Sequence, residues 1–216
     1  MNCLFCQNKI RNSFDFLNVF LLRNSQNQLC SICQKYFEKI SDKHCQRCYK
    51  NDIDGICHDC QIWEEKGIFI NHQAFFIYNQ AMKDYFSRYK FLGDYRLRFA
   101  FSLFVKFDKK YTVVPIPVSQ KRFEERGFNQ VTSFLDAINC IYQELLVKSD
   151  SVKQSSLDRK ARLESKNTFS IKENAVVPEN ILLIDDIYTT GATFQHAISV
   201  LKAAGAKNIK TFSLCR

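Results

Sequence analysis

At 216 residues the chain suits one ordinary domain plus a small one, or one large domain. Hydrophobic residues at 46%, charged residues at 25% and only six Gly and three Pro argue against a disordered chain. The net charge of +9 fits a polyanionic partner (nucleotide, nucleic acid or membrane surface) or simply a soluble basic surface, and it is concentrated in residues 83–130 and 148–172.

Eight of the ten cysteines fall within residues 3–60, as four Cys-x-x-Cys pairs: Cys3/Cys6, Cys30/Cys33, Cys45/Cys48 and Cys57/Cys60. The apolar run at residues 14–22 is interrupted by Asp15 and Asn18 and is too short to span a bilayer or to read as a secretory signal. A soluble cytoplasmic protein is therefore expected, in which thiols stay reduced and paired cysteines bind metal rather than form disulfides. Each pair supplies two thiolates from a tight knuckle, and two knuckles make a closed zinc site with four thiolate ligands, so four knuckles imply two structural zinc ions. The simplest pairing joins Cys3, Cys6, Cys30 and Cys33 in one site and Cys45, Cys48, Cys57 and Cys60 in the other. An interleaved pairing, a dithiol redox site, or His44 or His58 as a substitute ligand are the alternatives. Chelation is expected to unfold mainly residues 1–60.

Composition changes after Cys60, which puts a boundary near residue 62: a cysteine-rich zinc module at 1–62 and an α/β domain at 63–216. Residues 74–78 read as a strand. Residues 80–107 have helical spacing, with Met82, Phe86 and Tyr89 on one face, a break at Gly93, and Leu97, Phe101 and Phe104 on a second helix. Residues 113–117 form a β-branched strand ended by prolines, followed by a basic loop and a helix over about 129–147. Residues 148–167 are polar and Ser-rich and read as a mobile loop. The last 36 residues are a βαβ unit: an apolar strand at 181–184, a helix from about 193 to 204 with Gly205 past its end, and a strand at 209–214. Such a unit implies a parallel sheet. Cys140, in the helix over 129–147, and Cys215, in the last strand, read as small core residues.

The most informative segment is Ile181-Leu-Leu-Ile-Asp-Asp-Ile-Tyr-Thr-Thr-Gly-Ala-Thr. A buried strand delivers Asp185 and Asp186 to its carboxyl end, where ligands bind in open α/β sheets. Thr189, Thr190, Gly191, Ala192 and Thr193 then run into a helix N-terminus. Exposed N–H groups, hydroxyls and a glycine that permits close approach suit a phosphate. Adjacent carboxylates suit vicinal sugar hydroxyls or a bound Mg²⁺. A sugar phosphate satisfies both halves. Neither Gly-x-x-x-x-Gly-Lys-Ser/Thr nor Gly-x-Gly-x-x-Gly is present.

This segment resembles the phosphoribosyl pyrophosphate (PRPP) signature of type I phosphoribosyltransferases. The resemblance implies that residues 189–193 hold the 5′-phosphate and that Asp185 and Asp186 contact the ribose hydroxyls. Val114-Pro-Ile-Pro-Val-Ser-Gln-Lys-Arg-Phe-Glu-Glu-Arg-Gly-Phe-Asn-Gln resembles the signature of the ComF family of competence proteins. The likeness extends over residues 78–94 and the cysteine-rich start. It implies a type I phosphoribosyltransferase-like parallel sheet with flanking helices, carrying a small N-terminal zinc-ribbon module. It places Lys121, Arg122 and Arg126 at the pyrophosphate, with Lys90 at a further basic position. One departure concerns the family's Arg-x-x-Asn run in the mobile loop. Arg162 and Phe169 fit it, but Ser165 stands where Asn is expected and Asn167 lies two positions later.

The function this resemblance implies is PRPP binding, with Mg²⁺, in a cytoplasmic protein that handles transforming single-stranded DNA beside a competence helicase. Lys121, Arg122, Arg126, Arg159, Lys160 and Arg162 are the basic residues available to a DNA backbone. Two alternatives are a catalytically active phosphoribosyltransferase with an unknown acceptor and a PRPP-sensing regulator.

Overall fold

The computed structural model describes residues 1–10, 28–105, 107–149 and 167–216. The apolar run at 14–22 and most of the expected mobile loop, with Arg159, Lys160, Arg162 and Ser165, lie outside the described residues.

Among the described residues, the cysteine-rich segment has two short helices, α1 (Ser31–Tyr36) and α2 (His58–Glu65). Then come β1 (His72–Phe76), α3 (Gln80–Phe91), a 3₁₀ turn (Tyr95–Phe99), β2 (Thr112–Pro115), α4 (Gln120–Arg126) and α5 (Gln130–Ala137). The chain continues through β3 (Leu146–Lys148), β4 (Phe169–Ile171), β5 (Asn180–Ile187), α6 (Ala192–Ala203) and β6 (Asn208–Cys215). The main sheet has the order β1-β6-β5-β2, with every pairing parallel, as the terminal βαβ unit requires. A separate antiparallel ribbon pairs β3 with β4.

Alternation along the strands divides the core between the two sheet faces. Val113, Ile184, Phe212 and Leu214 pack with α3, α5 and the 3₁₀ turn. Val114, Ile181 and Leu183 pack with Phe194, Ala197 and Leu201 of α6 and with Trp63 of α2. Helix α3 buries Met82, Tyr85, Phe86 and Tyr89, a stripe at helical spacing, and Asn79 caps it by accepting from the Met82 N–H at 3.1 Å. One cysteine cluster joins each face: Cys3 and Cys33 pack with the first set, and Cys45, Cys48, Cys57 and Cys60 with the second. Helix α2 runs through residue 62 without a break.

Three local expectations differ from the structure. The helix expected over 129–147 ends at Ala137. Asn139 adopts a left-handed φ of 52°, and the chain then pairs Tyr142 with Val113 and enters β3. Cys140 accordingly lies in the turn after α5, with Cys215 fully buried in β6. The basic loop is helix α4, closed by Gly127 at φ 81°. The second aromatic helix is a 3₁₀ turn, although Leu97 and Phe101 are buried as their spacing predicts.

Candidate functional site

Strand β5 ends in Asp185 and Asp186 at the carboxyl edge of the sheet, and a cleft of about 570 Å³ opens beside them. Its floor is Asp185, Asp186 and Ile187, and the loop into α6 contributes Thr189, Thr190, Ala192 and Thr193. From α3 come Lys90 and Phe91, from the segment after β2 Pro117 and Ser119, from α4 Arg122, Glu125 and Arg126, and from β3 Lys148. Three elements distant in sequence thus supply four cations around two adjacent carboxylates. Lys121 is exposed on α4 and does not line the cleft; Gly191 is not among the lining residues either, although its neighbours Thr190 and Ala192 are.

The charges are arranged in pairs. Lys90 Nζ meets Asp186 Oδ2 at 2.6 Å, with both side chains 13% exposed, and the ammonium lies 4.4 Å from the centre of the Phe86 ring. Asp185 accepts the Asp186 N–H at 2.8 Å, yet burial, and next the neighbouring Asp186 charge, push its carboxyl up to about 7. Burial also lowers the affinity of Arg126 and Lys148 for their protons, although the carboxylates oppose this. Arg126 is held by a short hydrogen bond to the Gln130 side chain. The cleft therefore presents partly desolvated cations, the environment in which an anionic oxygen is bound most strongly.

Nothing in the local sequence marks Lys148 as a site residue. It begins the polar stretch, and only the pairing of β3 with β4 turns it into the cleft wall. Gly191 has φ 85°, and a methyl group there would lie 2.7 Å from Tyr188 Cζ and clash with its hydroxyl. Gly191→Ala is expected to cost more than the roughly 1–3 kcal/mol of backbone strain alone. Thermal melts of the variant will check this, and an unchanged melting temperature would show that the turn relaxes freely.

The four Cys-x-x-Cys pairs gather into two groups, Cys3, Cys6, Cys30, Cys33 and Cys45, Cys48, Cys57, Cys60, each with its sulfurs within 4.8 Å of one another. The simplest pairing is the one present. Cys6 and Cys30 sulfurs are 3.7 Å apart, and those of Cys48 and Cys57 are 3.5 Å apart. A disulfide needs about 2.05 Å, whereas four sulfurs about 2.3 Å from a tetrahedral zinc stand roughly 3.8 Å apart. Backbone N–H groups of Cys30, Cys33 and Cys57 donate to the sulfurs of Cys3, Cys30 and Cys45. Burial opposes ionisation of Cys3, but the N–H groups around it win and draw its thiol down to about 7. Both sites thus fit zinc, which would cross-link the segments that supply the ligands. His44 hydrogen-bonds the Ser41 carbonyl at 2.7 Å and stands outside both groups.

Among the described residues no helix is long and apolar enough to cross a membrane. No family model matches the chain. Solved structures with a related arrangement include the allosteric regulatory enzyme of purine biosynthesis, with TM-score 0.31 and 19% identity, covering 53% of this chain and 23% of that one. Another is a hypoxanthine phosphoribosyltransferase from Staphylococcus aureus, with TM-score 0.30 and 16% identity, covering 62% and 64%. Overlaps this loose leave the question of ligand to the residues themselves.

Sequence relatives are closer. DNA utilization protein YhgH of Escherichia coli is 28% identical over 111 residues, 48% of each chain. Competence protein ComFC of Bacillus subtilis is 33% identical over 99% of this chain and 94% of that one. For competence protein ComFC of Streptococcus pneumoniae the identity is 44% over 220 residues, the whole of both chains. Identities of 44% and 33% over essentially the full length of both chains make this chain a member of the ComF family of competence proteins.

Proposed function

We propose that the chain serves natural transformation in the cytoplasm, and that its cleft binds PRPP together with Mg²⁺. One observation carries the ligand assignment: the Asp185–Asp186 pair, the 189–193 loop and the cations Lys90, Arg122, Arg126 and Lys148 surround a single cleft. The loop suits the 5′-phosphate, the carboxylates suit the ribose hydroxyls or a Mg²⁺ bridging to the ligand, and the basic wall suits the pyrophosphate. Lys121, exposed on α4 outside the cleft, adds long-range attraction for the anion.

Isothermal titration with PRPP will give one binding site per chain that requires Mg²⁺. Absence of binding heat at saturating Mg²⁺ would refute the assignment. The titrated complex also separates two uses of the ligand. Tyr78 and Phe91 line the cleft and are 44% and 76% exposed, a surface on which a planar acceptor could stack. Pyrophosphate release in the presence of such an acceptor marks an active transferase. Binding without turnover marks a PRPP-responsive protein that handles transforming single-stranded DNA beside a competence helicase. DNA contact through the basic wall predicts that PRPP competes with an oligonucleotide in fluorescence anisotropy, with a log–log salt slope of about 0.7 per phosphate contact.

A further inference from the structure

The second cysteine cluster and the threonine loop are joined by two side chains far apart in the sequence, Trp63 and Arg216. Arg216 donates through Nε to Cys48 Sγ at 3.1 Å and through Nη1 to the Thr189 carbonyl at 2.8 Å. Its side chain is 8% exposed, and its guanidinium lies 4.6 Å from the centre of the Tyr188 ring, the ring that a side chain at 191 would strike. Trp63, three residues after Cys60 on α2, donates its indole N–H to the Thr190 carbonyl at 3.0 Å. Two consecutive carbonyls of the loop are therefore tied back towards the cluster.

In a trans peptide the C=O and the following N–H point in opposite directions. Holding the carbonyls of Thr189 and Thr190 on the cluster side turns the N–H groups of Thr190 and Gly191 the other way, away from the brace. Thr189, Thr190 and Ala192 of the same loop wall the cleft, so N–H groups turned from the brace are the loop's donors available to an anion there. Without the ties these peptides could rotate, and part of any anion's binding free energy would go into ordering them.

We propose that Arg216 and Trp63 are positioning residues for the anion site, and that the Cys45, Cys48, Cys57, Cys60 cluster acts as the anchor that keeps the loop's N–H donors aimed at phosphate. A metal held by those cysteines would thereby act on affinity in the cleft through Arg216 and Trp63, without touching the ligand. The proposal rests on the reading of the cleft as a phosphate site, and deepens it by assigning a role to the cluster nearest the loop.

The test compares full-length wild type with Arg216→Gln, Arg216→Lys and Trp63→Phe, each checked for zinc content and melting temperature. Titration with Mg²⁺ and PRPP will show affinity falling about tenfold or more in Arg216→Gln, the scale of a lost charged hydrogen bond. It will fall severalfold in Trp63→Phe, with two zinc ions retained in both. Arg216→Lys, which keeps the charge but not the two-directional reach, will recover part of the loss. Amide hydrogen exchange at residues 190 and 191, measured without ligand, will speed up in the same order. Trp63→Phe keeps all four cysteines, the Arg216–Cys48 contact and an aromatic ring in the packing beside them, so it stands as the test if Arg216→Gln fails to fold. Unchanged affinity with unchanged exchange in Trp63→Phe and the folded Arg216 variants overturns the proposal. If wild type binds no PRPP, the ligand assignment fails, and hydrogen exchange alone still decides whether the brace exists.

Discussion

Chelating the metal will release about two zinc ions per chain and destabilise far more than residues 1–60. The sequence alone leads one to expect a loss mainly within residues 1–60, because closed zinc sites supply the folding energy of small cysteine-rich segments. The structure spreads the damage. Cys33 and Phe37 pack against the face that carries Phe76, Tyr85 and Phe101, with Phe37 and Phe101 ring centres 4.9 Å apart. Cys48 and Cys60 pack with Trp63, Val114 and Phe194 on the other face. A structural zinc site contributes on the order of 10 kcal/mol, while a whole domain is stable by only about 5–15 kcal/mol. Loss of both ions is therefore expected to abolish the cooperative melt of the sheet as well. Elemental analysis and thermal melts with and without a strong zinc chelator will check this. An iron–sulfur signal, or a sheet that melts unchanged without metal, would be incompatible with it.

Replacing both carboxylates, Asp185→Asn with Asp186→Asn, will weaken PRPP binding by at least about a hundredfold. Hydrogen bonds to a charged group are worth roughly 1.5–3 kcal/mol each, and two of them together exceed a factor of about a hundred. The melting temperature without ligand will stay close to wild type, because two effects oppose one another. Lys90 loses its 2.6 Å partner, and the two adjacent carboxylates stop repelling. Retained PRPP affinity in the double variant would mean that the ribose assignment is wrong.

The same pair gives wild type a signature in pH. Burial, and then the Asp186 charge, raise the Asp185 carboxyl to about 7 in the folded protein, against about 3.9 when unfolded. Between those values the folded state holds a proton that the unfolded chain has released. Stability contributed by Asp185 is thus fully present below about pH 4, falls as pH rises towards about 7, and is level above it. That slope will be missing from urea melts of the double variant.

The parts legible in sequence are those written locally. The Cys-x-x-Cys knuckles and the run from Ile181 to Thr193 each place their chemistry within a few residues, so spacing alone announces them. Met82, Phe86 and Tyr89 reveal the buried face of α3 in the same way. Other features depend on partners remote in the chain. Lys148 reaches the cleft through pairing with Phe169, and Arg216 and Trp63 meet the loop only once the fold is assembled. Helix α4 is hidden for another reason: it buries no residue, so it carries no apolar periodicity. The helix expected over 129–147 is too long because Ile141, Leu145 and Leu146 continue an apolar pattern. The turn at Asn139 diverts them, leaving Ile141 exposed and Leu145 and Leu146 buried beside the ribbon.

Strand β6 lies between β1 and β5 yet follows both in the chain. A growing polypeptide on the ribosome must therefore hold both flanking edges unpaired until residues 208–215 have been translated. The cysteine knuckles emerge early and can capture metal while the sheet is still missing its centre. Long-range parallel pairing of this kind is slow and leaves strand edges open to other chains. A truncation that removes residues 208–216 deletes the middle of the sheet together with the arginine that braces its anion loop. Such a product should accumulate as aggregate rather than as a shortened soluble protein.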